Sequence, residues 1–126
     1  MSKKLSLKGL TIVLDCANGA TYHIAPVIFS NLGANIIIVN DKPDGLNINK
    51  KAGSVSPKNL QDAVALHNAD MGIAFDGDGD RVIMVDEDGT LVDGDQLLYI
   101  IMQFYIKEGY EFGGIVGTHM TNLAFE

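Results

Sequence analysis

Residues 71–81 read Met-Gly-Ile-Ala-Phe-Asp-Gly-Asp-Gly-Asp-Arg, and residues 82–85 continue with Val-Ile-Met-Val. Short apolar runs of this kind predict two buried β-strands. The polar residues 76–81 between them are called the acidic loop below. Because six residues are too few for the crossover that joins parallel strands, the two strands are predicted to pair in antiparallel fashion.

Upstream of this pair, the pattern predicts alternating strands and helices. Apolar runs at residues 10–14 and 34–39 predict two further strands. A helix over residues 18–32, with Asn18 as its cap, is predicted to separate these strands. A second helix, with Ser56 as its cap and Pro57 at its first helical position, is predicted to run to about residue 67 and to lead into the strand before the acidic loop.

Downstream, residues 95–107 predict a helix that is apolar on nearly all sides and therefore well buried, with Asp95 as its N-cap. Residues 114–117 predict a fifth strand. The complete order indicates an α/β fold, namely a three-layer α/β/α domain whose mixed, mostly parallel sheet contains one antiparallel strand. Residues 15–19, residues 40–49 and the acidic loop would then lie at the carboxyl ends of the parallel strands, where such sheets place their functional groups.

The acidic loop carries three carboxylates at alternate positions, Asp76, Asp78 and Asp80. At ~4 Å and an effective dielectric constant of about 20, each pair would repel by roughly 4 kcal/mol. The glycines between them allow positive φ angles, which let the backbone turn the three side chains toward one point. A divalent cation would remove the repulsion, and all-oxygen ligands favour Mg²⁺, Mn²⁺ or Ca²⁺ over zinc. Three carboxylates leave positions open for water or a phosphate, as magnesium sites in proteins usually do.

Two other interpretations of the acidic loop stay open at this point. One is a solvated acidic turn between strands. The other is a stand-alone calcium-binding module of the EF-hand kind, with Asp76 at the first position of the loop and Glu87 at the twelfth. Against the calcium loop, Arg81 stands at the sixth position, where a glycine is required, and the flanking residues predict strands where an EF-hand needs helices.

Composition excludes several classes of function. The chain has 126 residues, 47% of them hydrophobic, and a net charge of −7 from 9 basic and 16 acidic residues, which disfavours nucleic acid and anionic membrane as partners. Half of the acidic residues fall within residues 76–95, where Arg81 is the sole basic residue. The longest apolar run, residues 97–102, is far shorter than the roughly 20 residues of a membrane span, so a cytoplasmic location is expected. Cys16 is the single cysteine and is expected to be a buried, unreactive side chain.

The segment Gly-Ile-Ala-Phe-Asp-Gly-Asp-Gly-Asp-Arg at residues 72–81 closely resembles the metal loop of the α-D-phosphohexomutases. Four other segments resemble the bacterial phosphoglucosamine mutase branch of that superfamily. They are Asp-Cys-Ala-Asn-Gly-Ala at 15–20, Pro-Asp-Gly-Leu-Asn-Ile-Asn at 43–49, Val-Asp-Gly-Asp-Gln at 92–96 and Val-Gly-Thr-His-Met-Thr-Asn at 116–122.

The resemblance implies an isomerase that interconverts glucosamine 6-phosphate and glucosamine 1-phosphate through a phosphoserine, on the way to UDP-N-acetylglucosamine and peptidoglycan. It implies that Asp76, Asp78 and Asp80 hold Mg²⁺ as the cofactor. Arg81 is implied as a catalytic residue beside the phosphoserine, the alternative being a local counter-charge to the acidic loop. His119 is a candidate contact to the phosphate of the sugar-phosphate substrate, the alternative being a surface residue.

The resemblance also implies a particular domain organisation. Residues 1–110 match the second of four domains, and residues 111–126 match the start of the third. The family's serine loop has no counterpart among these residues, so the chain alone is expected to be inactive and to act with the other domains of the same mutase. A domain of a phosphomannomutase or phosphoglucomutase remains the alternative. Residues 114–117 would be an apolar strand without its home sheet, which predicts self-association of the fragment through residues 112–126.

Overall fold

The computed structural model describes residues 5–111 and 113–116. The chain divides into two compact units, residues 1–91 and residues 92–126, and each is described by itself. The domain boundary predicted near residue 110 stays a prediction. The strands are β1 (Thr11–Asp15), β2 (Asn35–Val39), β3 (Met71–Phe75), β4 (Val82–Asp86) and β5 (Leu91–Val92), the helices are α1 (Ile24–Asn31), α2 (Pro57–His67) and α3 (Gly94–Lys107), and two short 3-10 helices cover Ala20–Tyr22 and Gly53–Val55.

The strands form one mixed sheet in the order β2-β1-β3-β4-β5. Strand β1 runs parallel to both β2 and β3, whereas β3 and β4 are antiparallel, with Phe75 opposite Val82. The acidic loop therefore joins two directly paired strands, as the sequence predicts. The two-residue strand β5 follows a turn at Gly89 and was not predicted, because two residues are too few to show an alternating pattern.

Helices cover both faces of this sheet in the first unit. Val13 of β1 points toward α2 and packs with Leu60 and Val64, while its neighbours Ile12 and Leu14 point to the opposite face, where Phe29 of α1 packs. Because successive side chains of a strand point to opposite faces, β1 is buried on both sides. Fully burying each such side chain stabilises the fold by about 1.5–3 kcal/mol. The predicted three-layer α/β/α architecture is confirmed.

The start of the first helix differs from the prediction. Asn18 adopts a left-handed conformation with a φ of 47° and caps no helix. Its side-chain oxygen instead accepts a hydrogen bond from the backbone N–H of Lys42 at 3.1 Å. The prediction of Asn18 as the cap was wrong because a contact to a distant loop replaces the local one. The short 3-10 helix follows, and α1 begins only at Ile24.

The second unit is built around α3, and two predictions about it were wrong. The N-cap is Asp93, whose carboxylate accepts the backbone N–H of Gln96 at 2.9 Å while the Gln96 side chain accepts the N–H of Asp93, so Asp95 lies in the first turn instead. The helix buries none of its residues. A helix that is apolar all round needs neighbours on every side. Within the described part of this unit, the residues that line an apolar cavity with it are Tyr110, Glu111 and Ile115.

The predicted fifth strand at residues 114–117 is absent over residues 114–116, which have no regular structure and leave Val116 95% exposed. A strand forms only where its backbone groups find a paired neighbour, and none is present for these residues in the described part of the chain. Among the described residues, no helix has the length and apolar character that crossing a bilayer requires.

Candidate metal centre

Three loops meet at the carboxyl ends of the parallel strands, as the topology predicts. The loop after β1 is joined to the loop after β2 by a hydrogen bond from the N–H of Asn18 to the carbonyl of Asn40 at 2.7 Å. It is joined to the acidic loop by a second bond, from the N–H of Ala20 to the carbonyl of Gly77 at 2.8 Å. The acidic loop is therefore held by its neighbours and does not project freely from the β3–β4 hairpin.

The three predicted metal ligands lie together within the acidic loop. One carboxylate oxygen from each of Asp76, Asp78 and Asp80 lies within 4.8 Å of the other two. Asp76 directly follows β3 and is 1% exposed, whereas Asp78 and Asp80 are exposed. One fixed carboxylate and two that reach solvent form a group that is open on one side.

Arg81 holds the buried carboxylate of Asp76 in place. The backbone N–H of Arg81 donates to Oδ1 of Asp76 at 2.9 Å, and its Nε donates to Oδ2 at 3.0 Å. Burial by itself would raise the pKa of Asp76, but the hydrogen bonds from the backbone and side chain of Arg81 stabilise the charged form, and the pKa falls well below its usual range. Asp76 is therefore a preorganised anion across the whole physiological pH range.

Asp80 experiences the opposite environment. Its pKa is raised by the hydrogen-bonded interaction with Asp76 and by the negative charges of Asp76 and Asp78. The Nε of Arg81 lies 3.6 Å from Oδ1 of Asp80, but the side chains of Arg81 and Asp80 are 65% and 70% exposed, so solvent screens this pair. The remaining repulsion is what a divalent cation would relieve, and a set of three carboxylate oxygens fits a hard cation.

The glycines of the acidic loop matter for different reasons. Gly79 has a φ of +76°, which an L-residue rarely adopts, as the sequence predicts. Gly77 is required for space, because a Cβ there would lie 2.7 Å from two side-chain carbons of Ile48 and 2.8 Å from Nδ2 of Asn49. On the other side of the loop, a Cβ on Gly19 would lie 2.6 Å from Cα of Gly77. The acidic loop is thus clamped between two other segments.

A buried carboxylate that the sequence analysis missed lies beside this clamp. Asp15 ends β1, is 0% exposed, and accepts hydrogen bonds from the N–H of Ala17, the side-chain amide of Asn40 and the N–H of Gly53 at 2.9–3.0 Å. The sequence contains one signal that could have revealed it. Asp15 is an acidic residue at the last position of an apolar run, at the edge of the sheet where functional groups were expected. The role of Asp15 could not be read from the sequence, because two of its donors are distant in the chain and the third is a backbone N–H.

The other residues singled out from the sequence have different outcomes. Arg81 lies beside the acidic group as the counter-charge interpretation expects, and its catalytic role stays a prediction. Cys16 is fully buried, as predicted. Burial, with the nearby charges of Asp15 and Asp41, raises its pKa to about 11. His119, and most of the segment predicted to self-associate, lie outside the described residues.

The flanks of the acidic loop contradict the EF-hand alternative. Strands β3 and β4 stand where an EF-hand has helices. Glu87, which would be the bidentate ligand of a calcium loop, lies beyond β4, and the group of candidate ligands found among the described residues does not include it.

Comparison with known proteins assigns the chain to a family. Residues 1–89 match the model of the phosphoglucomutase/phosphomannomutase alpha/beta/alpha domain II. The chain belongs to this family. A solved structure of a phosphoglucomutase/phosphomannomutase family protein from Burkholderia thailandensis is 32% identical, with a TM-score of 0.66 over 79% of this chain and 22% of that one. The shared fold places the acidic loop in a domain of phosphohexomutase type.

Curated relatives from this family carry a more specific name. The phosphoglucosamine mutase of Methylobacillus flagellatus is 62% identical over 97% of this chain, and that of Alkalilimnicola ehrlichii is 61% identical over 98%. The phosphoglucosamine mutase of Cronobacter sakazakii is 57% identical over 98%. The chain spans only 27–28% of the length of these relatives.

Proposed function

We propose that this chain is the metal-binding domain of a phosphoglucosamine mutase, which interconverts glucosamine 6-phosphate and glucosamine 1-phosphate. The observation that carries the proposal is the group formed by Asp76, Asp78 and Asp80, with oxygens within 4.8 Å of one another in a chain of this family. The identity of 62% to a relative of that name supports glucosamine phosphate as the substrate.

The three aspartates would hold Mg²⁺, with Asp76 as the rigid ligand and Asp78 and Asp80 as the ligands on the open side. When bound, the ion supplies positive charge against the phosphoryl group in transfer. Asp76 is already ionised and fixed by Arg81, so binding a cation requires little reorganisation at this ligand. The exposed guanidinium of Arg81 would contribute a second positive group, of planar shape suited to phosphate.

The proposal assigns the remaining functions to other parts of the mutase. The phosphorylated serine, the recognition of the sugar and the second phosphate site would come from its other domains, and the chain alone would not turn over glucosamine 6-phosphate. His119 is kept as a candidate contact to the substrate phosphate. The proposed setting is the cytoplasm, in the synthesis of peptidoglycan precursors.

The test of the metal site is a titration followed through backbone amide NMR signals, first with Mg²⁺ and then with Ca²⁺. We expect weak Mg²⁺ binding whose shifts are confined to residues 76–81. Asp78→Asn should abolish these shifts, and Asp62→Asn, which removes an exposed carboxylate paired with Lys58 on α2, should preserve them. Tight Ca²⁺ binding that also moves Glu87, or shifts that survive in Asp78→Asn, would contradict the proposal.

A phosphomannomutase or phosphoglucomutase domain is the second candidate, because the matched family model and the solved relative carry those names. The preferred substrate of the parent enzyme distinguishes the two candidates. The complete parent enzyme, with glucosamine 6-phosphate, mannose 6-phosphate and glucose 6-phosphate offered in turn, should show the highest kcat/KM for the glucosamine phosphate. A higher value for either other sugar would favour the second candidate.

A further inference from the structure

We infer that Asp15 is a positioning residue for the acidic loop, because its buried carboxylate joins the three segments that hold that loop in place. The inference rests on the proposed function in one respect, namely that the acidic loop binds a metal ion. The geometry that carries it lies outside the acidic group itself, in a residue 61 positions upstream of Asp76.

Asp15 is placed to connect segments that are far apart in the chain. Its Oδ1 accepts from the N–H of Ala17 at 2.9 Å and from Nδ2 of Asn40 at 3.0 Å, and its Oδ2 accepts from the N–H of Gly53 at 2.9 Å. Both oxygens therefore act only as acceptors toward three donors. A buried carboxylate is costly unless it is hydrogen-bonded, so these three donors offset the cost of burying Asp15.

The first connection runs through Gly53 to the start of the acidic loop. A Cβ on Gly53 would collide with the carbonyl oxygen of Phe75 and lie 2.5 Å from Cβ of Ala17. The backbone of Gly53 thus packs directly against the residue that precedes Asp76. By binding the N–H of Gly53, Asp15 keeps this backbone against the point where β3 turns into the acidic loop.

The second connection runs through Ala17 to Gly77. Ala17 has a φ of 54°, an unfavourable value for a residue with a Cβ, and the Asp15 carboxylate accepts its N–H in this conformation. The carbonyl of Ala17 accepts the N–H of Asn49 at 2.9 Å. Asn49 and its neighbour Ile48 fill the space next to Gly77.

The third connection runs through Asn40 to the other side of Gly77. Asn40 is also left-handed, with a φ of 53°, and its carbonyl accepts the N–H of Asn18 at 2.7 Å. Two residues later the N–H of Ala20 donates to the carbonyl of Gly77 at 2.8 Å. The second and third connections thus reach Gly77, between the ligands Asp76 and Asp78, from two sides.

Three variants of the 126-residue chain test the inference. Asp15→Asn keeps the shape of the side chain but turns one oxygen into an N–H₂ group facing a donor. Asn40→Gly removes one donor, keeps the charge of Asp15 and tolerates the positive φ. Asp41→Asn is the control for the loss of a negative charge. Asp41, like Asp15, lies close enough to Cys16 to raise the pKa of that thiol, but among the described residues the Asp41 carboxylate makes no hydrogen bond.

A fourth variant, Val64→Ala, controls for a general loss of stability. Val64 lies on α2 and is fully buried next to Gly72, where the helix packs on the sheet.

The first readout is amide hydrogen exchange, which needs no metal. In Asp15→Asn and Asn40→Gly, we expect the amides of Ala20 and Gly79 to exchange about tenfold faster while that of Ile73 in β3 is unchanged. Asp41→Asn should leave all three rates as in the parent chain, whereas Val64→Ala should speed exchange at Ile73 at least as much as at Ala20 and Gly79, because it lowers the stability of the whole sheet.

The second readout is the dissociation constant for Mg²⁺ or Mn²⁺ in the same variants. We expect it to rise about tenfold in Asp15→Asn, and in the same direction in Asn40→Gly, as for other residues that orient metal ligands. Unchanged exchange at Ala20 and Gly79 in both variants would overturn the inference, as would an equal loss of affinity in Asp41→Asn. Faster exchange in a chain that binds no metal would sustain the positioning role and contradict only the proposed metal site.

Discussion

Gly19→Ala is the substitution whose effect the structure defines most sharply. Gly19 has a φ of −113° and a ψ of −162°, an extended conformation that alanine adopts without strain. Any effect must therefore come from the added methyl group. Its carbon would lie 2.6 Å from Cα and 2.8 Å from the carbonyl carbon of Gly77, where unstrained carbon atoms are about 3.5–4 Å apart.

The acidic loop would have to move by about 1 Å to accept this methyl group. Overpacking of this size typically costs about 1–3 kcal/mol. The movement also disrupts the hydrogen bond between the N–H of Ala20 and the carbonyl of Gly77, which contributes about 1 kcal/mol. We therefore expect the free energy of unfolding to fall by about 3 kcal/mol, and Tm to fall by about 10–20 °C.

The assay is urea unfolding followed by circular dichroism, with Gly94→Ala as the matched control. Gly94 begins α3, and a Cβ there meets nothing within 4 Å, so alanine should be neutral or slightly stabilising. The reasoning is refuted if Gly19→Ala unfolds at the same urea concentration as Gly94→Ala. Because the displaced residue lies between two proposed ligands, the variant should also bind Mg²⁺ more weakly than the control.

The remaining predictions concern the stability of the fold in acid, the N-cap of α3 and the reactivity of the Cys16 thiol. The pKa of Asp76 is lowered in the folded state, so its ionisation stabilises the fold above the unfolded pKa of about 4, and this contribution is lost as the pH falls toward the folded value. Urea unfolding without metal should show Asp76→Asn less stable than the parent chain at pH 7, with the difference shrinking between about pH 4 and pH 2. Asp93→Ala removes the capping box with Gln96 and should cost α3 about 1 kcal/mol, measured as lost helical circular dichroism relative to Gly94→Ala. Cys16, with its pKa raised to about 11, should not react with a thiol reagent at pH 8 unless urea is present, and fast reaction of the folded chain would contradict its burial.

Local pattern was sufficient for much of the fold. Strand β3 begins and ends at the predicted residues, and α2 begins at Pro57 as predicted, although the side chain of Ser56 makes no capping hydrogen bond. The antiparallel pairing of β3 with β4 also followed from the sequence, because the short acidic loop allows no other connection. These features depend on neighbouring residues and on the length of one link, which the sequence displays directly.

Predictions about the partners of a side chain were less successful. Asn18 carries a good capping side chain, yet it binds the backbone of Lys42, 24 residues away. The capping box of α3 involves Asp93 where Asp95 was expected, although both positions carry the same residue type. The apolar character of α3 predicted burial, but burial depends on neighbours, which the pattern of a single helix does not specify.

The sequence by itself determined the fold class and brought the three candidate ligands, Asp76, Asp78 and Asp80, into one loop, because aspartates separated by single glycines are near neighbours in the chain. Only the tertiary structure decided how that loop is held. Its supports come from Gly19, Ile48 and Gly53, and Asp15 joins their segments through hydrogen bonds that span up to 38 residues. Such contacts form only after the parallel strands have aligned their carboxyl ends, and no local periodicity encodes which loops will then touch.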